Sequence, residues 1–305
     1  MTYDIIILGS GPAGLTAALY GARAKKKTLI LGGDTFAGQM AGIYKLENYP
    51  GFVGSGMELA EIMKKQALDA GAEIQPLTVQ SVADNGQDGS EKRFLIKTTD
   101  GAEFGARAVI IATGAAPKRL PLPGAKEFLG KGVSYCATCD GFFYKDRTVA
   151  VYGGGNSAMN DSLYLANVAK KVYLIYRKAE FTRAEAILVD RVKNTSNIEC
   201  LMETEITEVI GSESGVTELA LNNGEKIFAE GLFVAIGHEA NTDFLPENYQ
   251  RDQLGKLLTA ADSSEIATGM FAAGDIRSKN KMQICVATGW GCEAAMDAIL
   301  YLNKQ

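Results

Sequence analysis

A doubly wound α/β fold, with one parallel-sheet domain inserted into another, is what this sequence predicts, and three observations lead to it. A strand, a glycine-rich turn and a helix follow one another twice, around residues 3–20 and 148–168. Each copy is later closed by a similar strand, residues 106–112 running into Thr113-Gly114 and residues 232–236 running into Gly237-His238. A last strand and turn, residues 270–276, has no counterpart in the middle of the chain and so returns to the first domain.

Residues 3–8 form an unbroken apolar run, as expected of a strand covered on both faces in a parallel sheet. The run ends in Gly9-Ser10-Gly11-Pro12-Ala13-Gly14, and a helical pattern with Leu15, Leu19 and Tyr20 follows. Residues 28–31 supply the next strand and complete a βαβ unit. Residues 84–92 are polar and rich in Gly, Asp and Ser, a turn composition, and the short alternating segments beside them suggest an antiparallel meander. The insertion repeats the plan. Residues 148–152 lead into Gly153-Gly154-Gly155-Asn156-Ser157-Ala158, a helix with Leu163, Leu165 and Val168, a strand at 172–176 and a polar turn at 211–215. Pro117, Pro121 and Pro123 mark the first crossing. The first domain is therefore expected at 1–117 and 245–305 and the second at 118–244. Each is a three-layer arrangement of helices, parallel sheet and meander, and a terminal helix runs from about 291 to 302.

A length of 305 residues suits two domains of about 150 residues each. The 47% apolar and 22% charged shares are those of a globular protein, and a net charge of −5 argues against nucleic acid or an anionic membrane as partner. No apolar run approaches the ~20 residues that span a bilayer, and the N-terminus lacks the basic head of a signal peptide, so the cytoplasm is the expected location. Of five cysteines only Cys136 and Cys139 are closely spaced. Cys200, Cys285 and Cys292 read as small buried apolar residues. A single histidine, His238, excludes most His-rich metal sites and nucleophile–histidine pairs.

One G-x-G-x-x-G is a weak signal, but both copies here sit after a strand and open a helix, the context that dinucleotide binding requires. Gly9 permits the tight turn, Gly11 lets the backbone approach a pyrophosphate, and Gly14 lets helix and strand pack closely, while free N–H groups of the helix face the phosphates. Gly153, Gly155 and Ala158 repeat the pattern. Two such turns imply two dinucleotides, typically a flavin and a nicotinamide, held by two Rossmann-like domains. In the second unit, Arg177 and Lys178 follow the strand and Arg183 comes shortly after, with no carboxylate before Glu180. That cluster suits the 2′-phosphate of NADPH, since guanidinium forks match phosphate geometry, or it is a solvated basic turn, which leaves NADH or reduced ferredoxin as the alternative donor. In the first unit the matching position is Gly32, with Asp34 beyond it.

Cys136-Ala137-Thr138-Cys139 can be a redox pair or half of a zinc site. Structural zinc needs two further ligands at matching spacing, and no second C-x-x-C exists, so a redox pair with one activated thiolate is the reading. Asp140 follows directly, placed either to move protons during exchange or to cap a turn.

These residues resemble the low-molecular-weight thioredoxin reductases, the two-domain bacterial and archaeal type, over essentially the whole chain. The most specific stretch is KGVSYCATCDGFFY at 131–144, supported by GSGPAG, ENYPGF at 47–52, IATGAAP at 111–117, GGGNSA, AIGHEANT at 235–242 and AAGD at 272–275. The resemblance implies FAD in the first domain, at the Gly9–Gly14 turn, Gly32, Gly38, Gln39, Asn48, Val79, Ala112, Thr113, Gly114, Gly274, Asp275, Gln283 and Ile284. It implies NADPH in the second, at Gly153, Gly155, Asn156, Ser157, Ala158, Arg177, Lys178 and Arg183. It also implies a homodimer that reduces thioredoxin or a related disulfide protein, with Cys139 against the flavin, Cys136 attacking the partner and Asp140 handling the proton. A rotation of the inserted domain would alternate between the two half-reactions. The chain departs from the family at Tyr176-Arg177-Lys178, with one extra residue before Arg183, at Asn160-Asp161, at Met282 and at Trp290.

Overall fold

The run Thr2–Leu8 is strand β1 of the computed structural model, which describes residues 1–43, 46–86, 93–260, 262–278 and 282–305. Ile5 and Ile7 enter one core and Ile6 and Leu8 another. The strand is covered on both faces, and that is why its sequence does not alternate. Helix α1 (Pro12–Arg23) leads to β2 (Thr28–Leu31), parallel to β1 with Ile5 opposite Thr28. A hairpin of β3 (Leu46–Tyr49) and β4 (Phe52–Gly54) precedes α2 (Gly56–Asp69). Ser55 and Glu58 exchange side-chain-to-backbone bonds at the start of α2, a capping box. Strands β5 (Glu73–Gln75), β6 (Val79–Asp84), β7 (Phe94–Thr98) and β8 (Glu103–Ile111) follow. The nine-residue β8 serves three partners: it runs parallel to β1 on one side, and on the other its first half pairs antiparallel with β7 and its second half parallel with a strand from the chain's end. The turn expected at 84–92 lies, from residue 87, outside the described residues.

Strand β9 (Ala115–Pro117) leaves the first unit. The second unit spans Pro117–His238 and the first Met1–Ala116 with Glu239–Gln305. The second unit has a five-stranded parallel sheet, ordered β10 (Val133–Ser134), β17 (Gly231–Val234), β11 (Thr148–Tyr152), β12 (Lys171–Tyr176) and β13 (Ile198–Met202). Helices α3 (Ala137–Asp140), α4 (Asn156–Ala166) and α5 (Ala186–Lys193) belong to it, with an antiparallel meander of β14 (Ile206–Ser212), β15 (Gly215–Leu221) and β16 (Lys226–Phe228). The chain re-enters the first unit at Glu239. The reason is local: β18 (His238–Ala240) pairs with β9, and Phe244 and Leu245 then join the core behind β1.

Strands β19 (Glu265–Ala267) and β20 (Met270–Ala272) close the first sheet beside β8. Helix α6 spans Ile284–Asn303, beginning well before the expected 291. Of the two glycines that lower its helical propensity, Gly291 serves packing, since a Cβ there would overlap the Ala13 carbonyl of α1, whereas a Cβ at Gly289 would meet nothing within 4 Å. The three remaining cysteines are less buried than expected. Cys285 is exposed and Cys200 and Cys292 are half-buried, because Cys200 lies on edge strand β13 and the other two on the open face of α6.

Candidate functional site

The two glycine turns are built alike. Gly9 (φ 109°) and Gly153 (φ 154°) adopt backbone angles that favour glycine, and in each case a Cβ would overlap the carbonyl after the closing strand, Ala112 in one unit and Ala235 in the other. In the first unit, Gly11 caps α1 and Pro12 opens it, where a missing N–H costs nothing. Space above the turn is open, the nearest atom to a Cβ on Gly11 being the Ala37 carbonyl at 4.0 Å.

Around this turn the fold gathers residues distant in sequence. Gly274 brings its turn against Ala13. Gln39, next to Gly38, donates to Asp275 Oδ2 at 3.2 Å and to the Ala115 carbonyl at 3.3 Å. Asn48 donates to Gln283 Oε1 at 3.2 Å, at the residue that caps α6 before Ile284. Thr113 and Gly114 are latched by Asn241: Thr113 Oγ1 donates to the Asn241 carbonyl (2.8 Å), Asn241 Nδ2 to the Thr113 carbonyl (3.0 Å) and the Asn241 N–H to Gly114 (3.1 Å). Gly32 follows β2, and its carbonyl accepts from the Ser10 hydroxyl at 3.1 Å. Asp34 accepts from Thr78 at 2.8 Å, and Val79 borders a cavity of about 310 Å³ with Gln80, Asn241, Asp243 and Phe244. Sequence reasoning missed Ser10 and Asn241, although both lie inside motif stretches. An open glycine turn ringed by polar side chains fits a dinucleotide.

In the second unit Gly155 forms a backbone bridge with Arg183, and Asn156 and Glu185 exchange two hydrogen bonds of 2.8 and 2.7 Å. The extra residue before Arg183 therefore leaves it beside the turn. Tyr176 lays its ring over Gly154 and stacks on Phe181, centroids 5.4 Å apart. Ser157 and Ala158 sit in the first turn of α4. Arg177, Lys178 and Arg183 are exposed, and none pairs with a carboxylate among the described residues. On α4, burial pushes the Asp161 carboxyl up to about 7. A raised carboxyl stabilises the fold fully below its ordinary 3.8, less as pH rises toward 7, and not above. Asp161→Asn is therefore expected to shrink the difference in melting temperature between pH 5 and pH 8. An unchanged difference would refute this.

The thiol pair follows β10. Cys136 and Cys139 form a disulfide with Cα atoms 5.3 Å apart. Cys136 caps α3, its Sγ accepting the Cys139 N–H at 3.2 Å. The Ser134 hydroxyl donates to Asp140 Oδ2 at 2.6 Å and accepts the Cys136 N–H at 3.0 Å. Beyond it, Phe142 and Phe143 are each 71% exposed. In the first unit Trp290 lies 4.2 Å from the guanidinium of buried Arg277, which pairs with Glu293, so this departure from the family edges a core. Among the described residues no cluster of metal-ligating side chains forms, and no helix is long and apolar enough to cross a membrane.

Residues 3–291 match the family described as pyridine nucleotide-disulphide oxidoreductase. A thioredoxin reductase of Helicobacter pylori is 39% identical over 313 residues, covering 98% of this chain and 99% of its own. The structure of Lactococcus lactis thioredoxin reductase superposes with a TM-score of 0.93 at 34% identity, covering 99% of this chain and all of the other. A ferredoxin-flavin thioredoxin reductase from Clostridium acetobutylicum matches at 31% identity with a TM-score of 0.52, covering 99% of each chain. With two glycine turns, an adjoining C-x-x-C disulfide and full-length similarity, the chain belongs to the pyridine nucleotide-disulphide oxidoreductases, as a thioredoxin reductase of the two-domain FAD type.

Proposed function

We propose that this chain is an NADPH-dependent thioredoxin-disulfide reductase of the cytoplasm, working as a homodimer. The observation that supports this most is the Cys136–Cys139 disulfide, followed by Asp140 and bordered by exposed Phe142 and Phe143. A small thiol has no use for an apolar surface beside the disulfide, whereas a folded protein does. The Gly9–Gly14 turn, Gly38, Gln39, Asn48, Asp275 and Gln283 would hold FAD; Gly155, Ser157, Ala158 and the three cations would hold the nucleotide. A bound FAD supplies the two-electron relay between nucleotide and disulfide. Cys136 is the thiolate that attacks the partner, Cys139 closes the disulfide again, and Asp140 takes the proton from Cys139 and returns it to the departing sulfur. The homodimer is supported by an exposed stripe on α6, where Met296 and Leu300 are 52% and 57% exposed and follow Cys292 at four-residue spacing, with Tyr20 of α1 40% exposed near Cys292.

Arg177, Lys178 and Arg183 favour NADPH by charge. Lys178 offers a point charge instead of a fork, which lowers discrimination. One charged hydrogen bond amounts to about ten- to a hundredfold in preference. NADPH is therefore expected to exceed NADH in kcat/KM with thioredoxin by at least about tenfold, and Arg177→Ala to bring the two toward parity. NADH equal to or better than NADPH would refute the reading. Activity with reduced ferredoxin and with neither nucleotide would instead favour the donor named for the Clostridium protein.

A further inference from the structure

We propose that Ser134 is the positioning residue of the thiol centre: its buried hydroxyl holds the Asp140 carboxylate to the backbone of Cys136, so that the acid and the sulfur keep one geometry. Ser134 is 5% exposed and ends the two-residue strand β10, paired with Phe233 of β17. The hydroxyl carries one hydrogen and has three polar neighbours. Asp140 Oδ2 at 2.6 Å is far closer than the Cys136 carbonyl at 3.3 Å, so the hydrogen goes to the carboxylate, and a lone pair receives the Cys136 N–H at 3.0 Å. Hydrogen bonds to an ionised acceptor are the short and strong ones.

Asp140 needs such a tether. It ends a one-turn helix, and its side chain has two free torsions. The sheet is the rigid part of this unit, and Ser134 is where the sheet reaches the acid. With Oδ2 occupied, Oδ1 is the oxygen left for a thiol. The other ionisable groups nearby are Tyr144, raised by burial and then by the Asp140 charge, with Arg147 and Glu230 acting on the same tyrosine.

The inference rests on the proposed role of Asp140. In that role the Cys136 thiolate forms a bond to one partner sulfur, breaking the partner disulfide and releasing a thiolate. Cys139 then attacks Cys136 Sγ, closing the enzyme disulfide and releasing the second partner sulfur. The proton leaving Cys139 goes to the carboxylate and from there to the departing sulfur, so atoms and electrons balance without another reactant. A carboxylate free to turn would meet that proton less often.

The test uses the full-length holoenzyme, reduced beforehand with dithionite and mixed with oxidised thioredoxin between pH 6 and 9. Ser134→Ala is expected to lower the limiting rate about tenfold, the effect of one lost charged hydrogen bond, with half-saturation by thioredoxin unchanged. Its pH profile should be displaced from the parent's. Ser134→Thr, which keeps the hydroxyl, should recover most of the rate and the parental profile. Flavin reduction by nucleotide should stay within about twofold in both variants. A parental rate and profile in Ser134→Ala overturns the proposal, as does a loss shared by both half-reactions that Ser134→Thr does not repair. Asp140→Asn separates the underlying reading: if it turns over like the parent, the acid role itself fails, and if it is impaired while Ser134→Ala is not, only the tether fails.

Discussion

Cys139→Ser is expected to accumulate as a covalent adduct with thioredoxin, while Cys136→Ser forms none, and both should lose turnover by three orders of magnitude or more, on the order of what removing a covalent nucleophile costs. The thiolate is the attacking species, and its fraction is set by groups that stabilise the charge. Cys136 Sγ receives the Cys139 N–H at 3.2 Å and lies 3.5 Å from the Thr138 hydroxyl. Exposure alone would choose the other sulfur, since Cys139 is exposed and Cys136 half-buried. Stabilisation outweighs exposure because a partner can move to reach a sulfur, whereas an uncharged thiol attacks hardly at all. A thioredoxin with only its first cysteine, activated as an aryl mixed disulfide, gives the readout: one band of summed mass on a non-reducing gel. The band with Cys136→Ser and its absence with Cys139→Ser would reverse the assignment.

The glycine turns and the thiol pair were legible in the sequence because their requirements are local. A tight turn after a buried strand needs glycine whatever packs on it later, and two thiols three residues apart meet wherever one turn of helix lies between them. The contacts that complete the site are not local. Asn241 grips Thr113 across 128 positions, and Gln39 reaches Asp275 across 236. No periodicity or spacing records such pairs. Ser134 went unseen for another reason: a serine two residues before a cysteine is common, and only the fold shows its hydroxyl aimed at Asp140. The start of α6 went unseen for a third reason. Gly289 and Gly291 lower the helical propensity of this stretch, and propensity counts the cost of Gly291 but not the close contact with α1 that it permits.

Gly9→Ala is expected to yield a folded protein without flavin, and the parent one FAD per chain. Two penalties meet at Gly9. Its φ of 109° lies where a side chain strains the backbone, by about 1–2 kcal/mol. Its missing Cβ also points at the Ala112 carbonyl, which cannot move without shifting the end of β8 and, with it, Thr113 and Gly114. Relief of the overlap must open the turn that faces the phosphates, so cofactor affinity falls before the fold does. Gly71 separates the two effects. It has a similar φ of 100°, but nothing lies within 4 Å of a Cβ there, and it sits beyond α2, away from the turn. Gly71→Ala should lower the melting temperature by a few degrees, as about 1 kcal/mol does in a chain of this size, and keep its full yellow absorbance. In Gly9→Ala the ratio of flavin to protein absorbance should drop below about a tenth of the parent's, from a loss of affinity of at least about a hundredfold, roughly 3 kcal/mol. Far-ultraviolet circular dichroism should still show the native helix and strand content. Full flavin in Gly9→Ala would mean that the turn does not hold the cofactor, and equal flavin loss in Gly71→Ala would mean that backbone strain alone, and not the overlap with Ala112, governs binding.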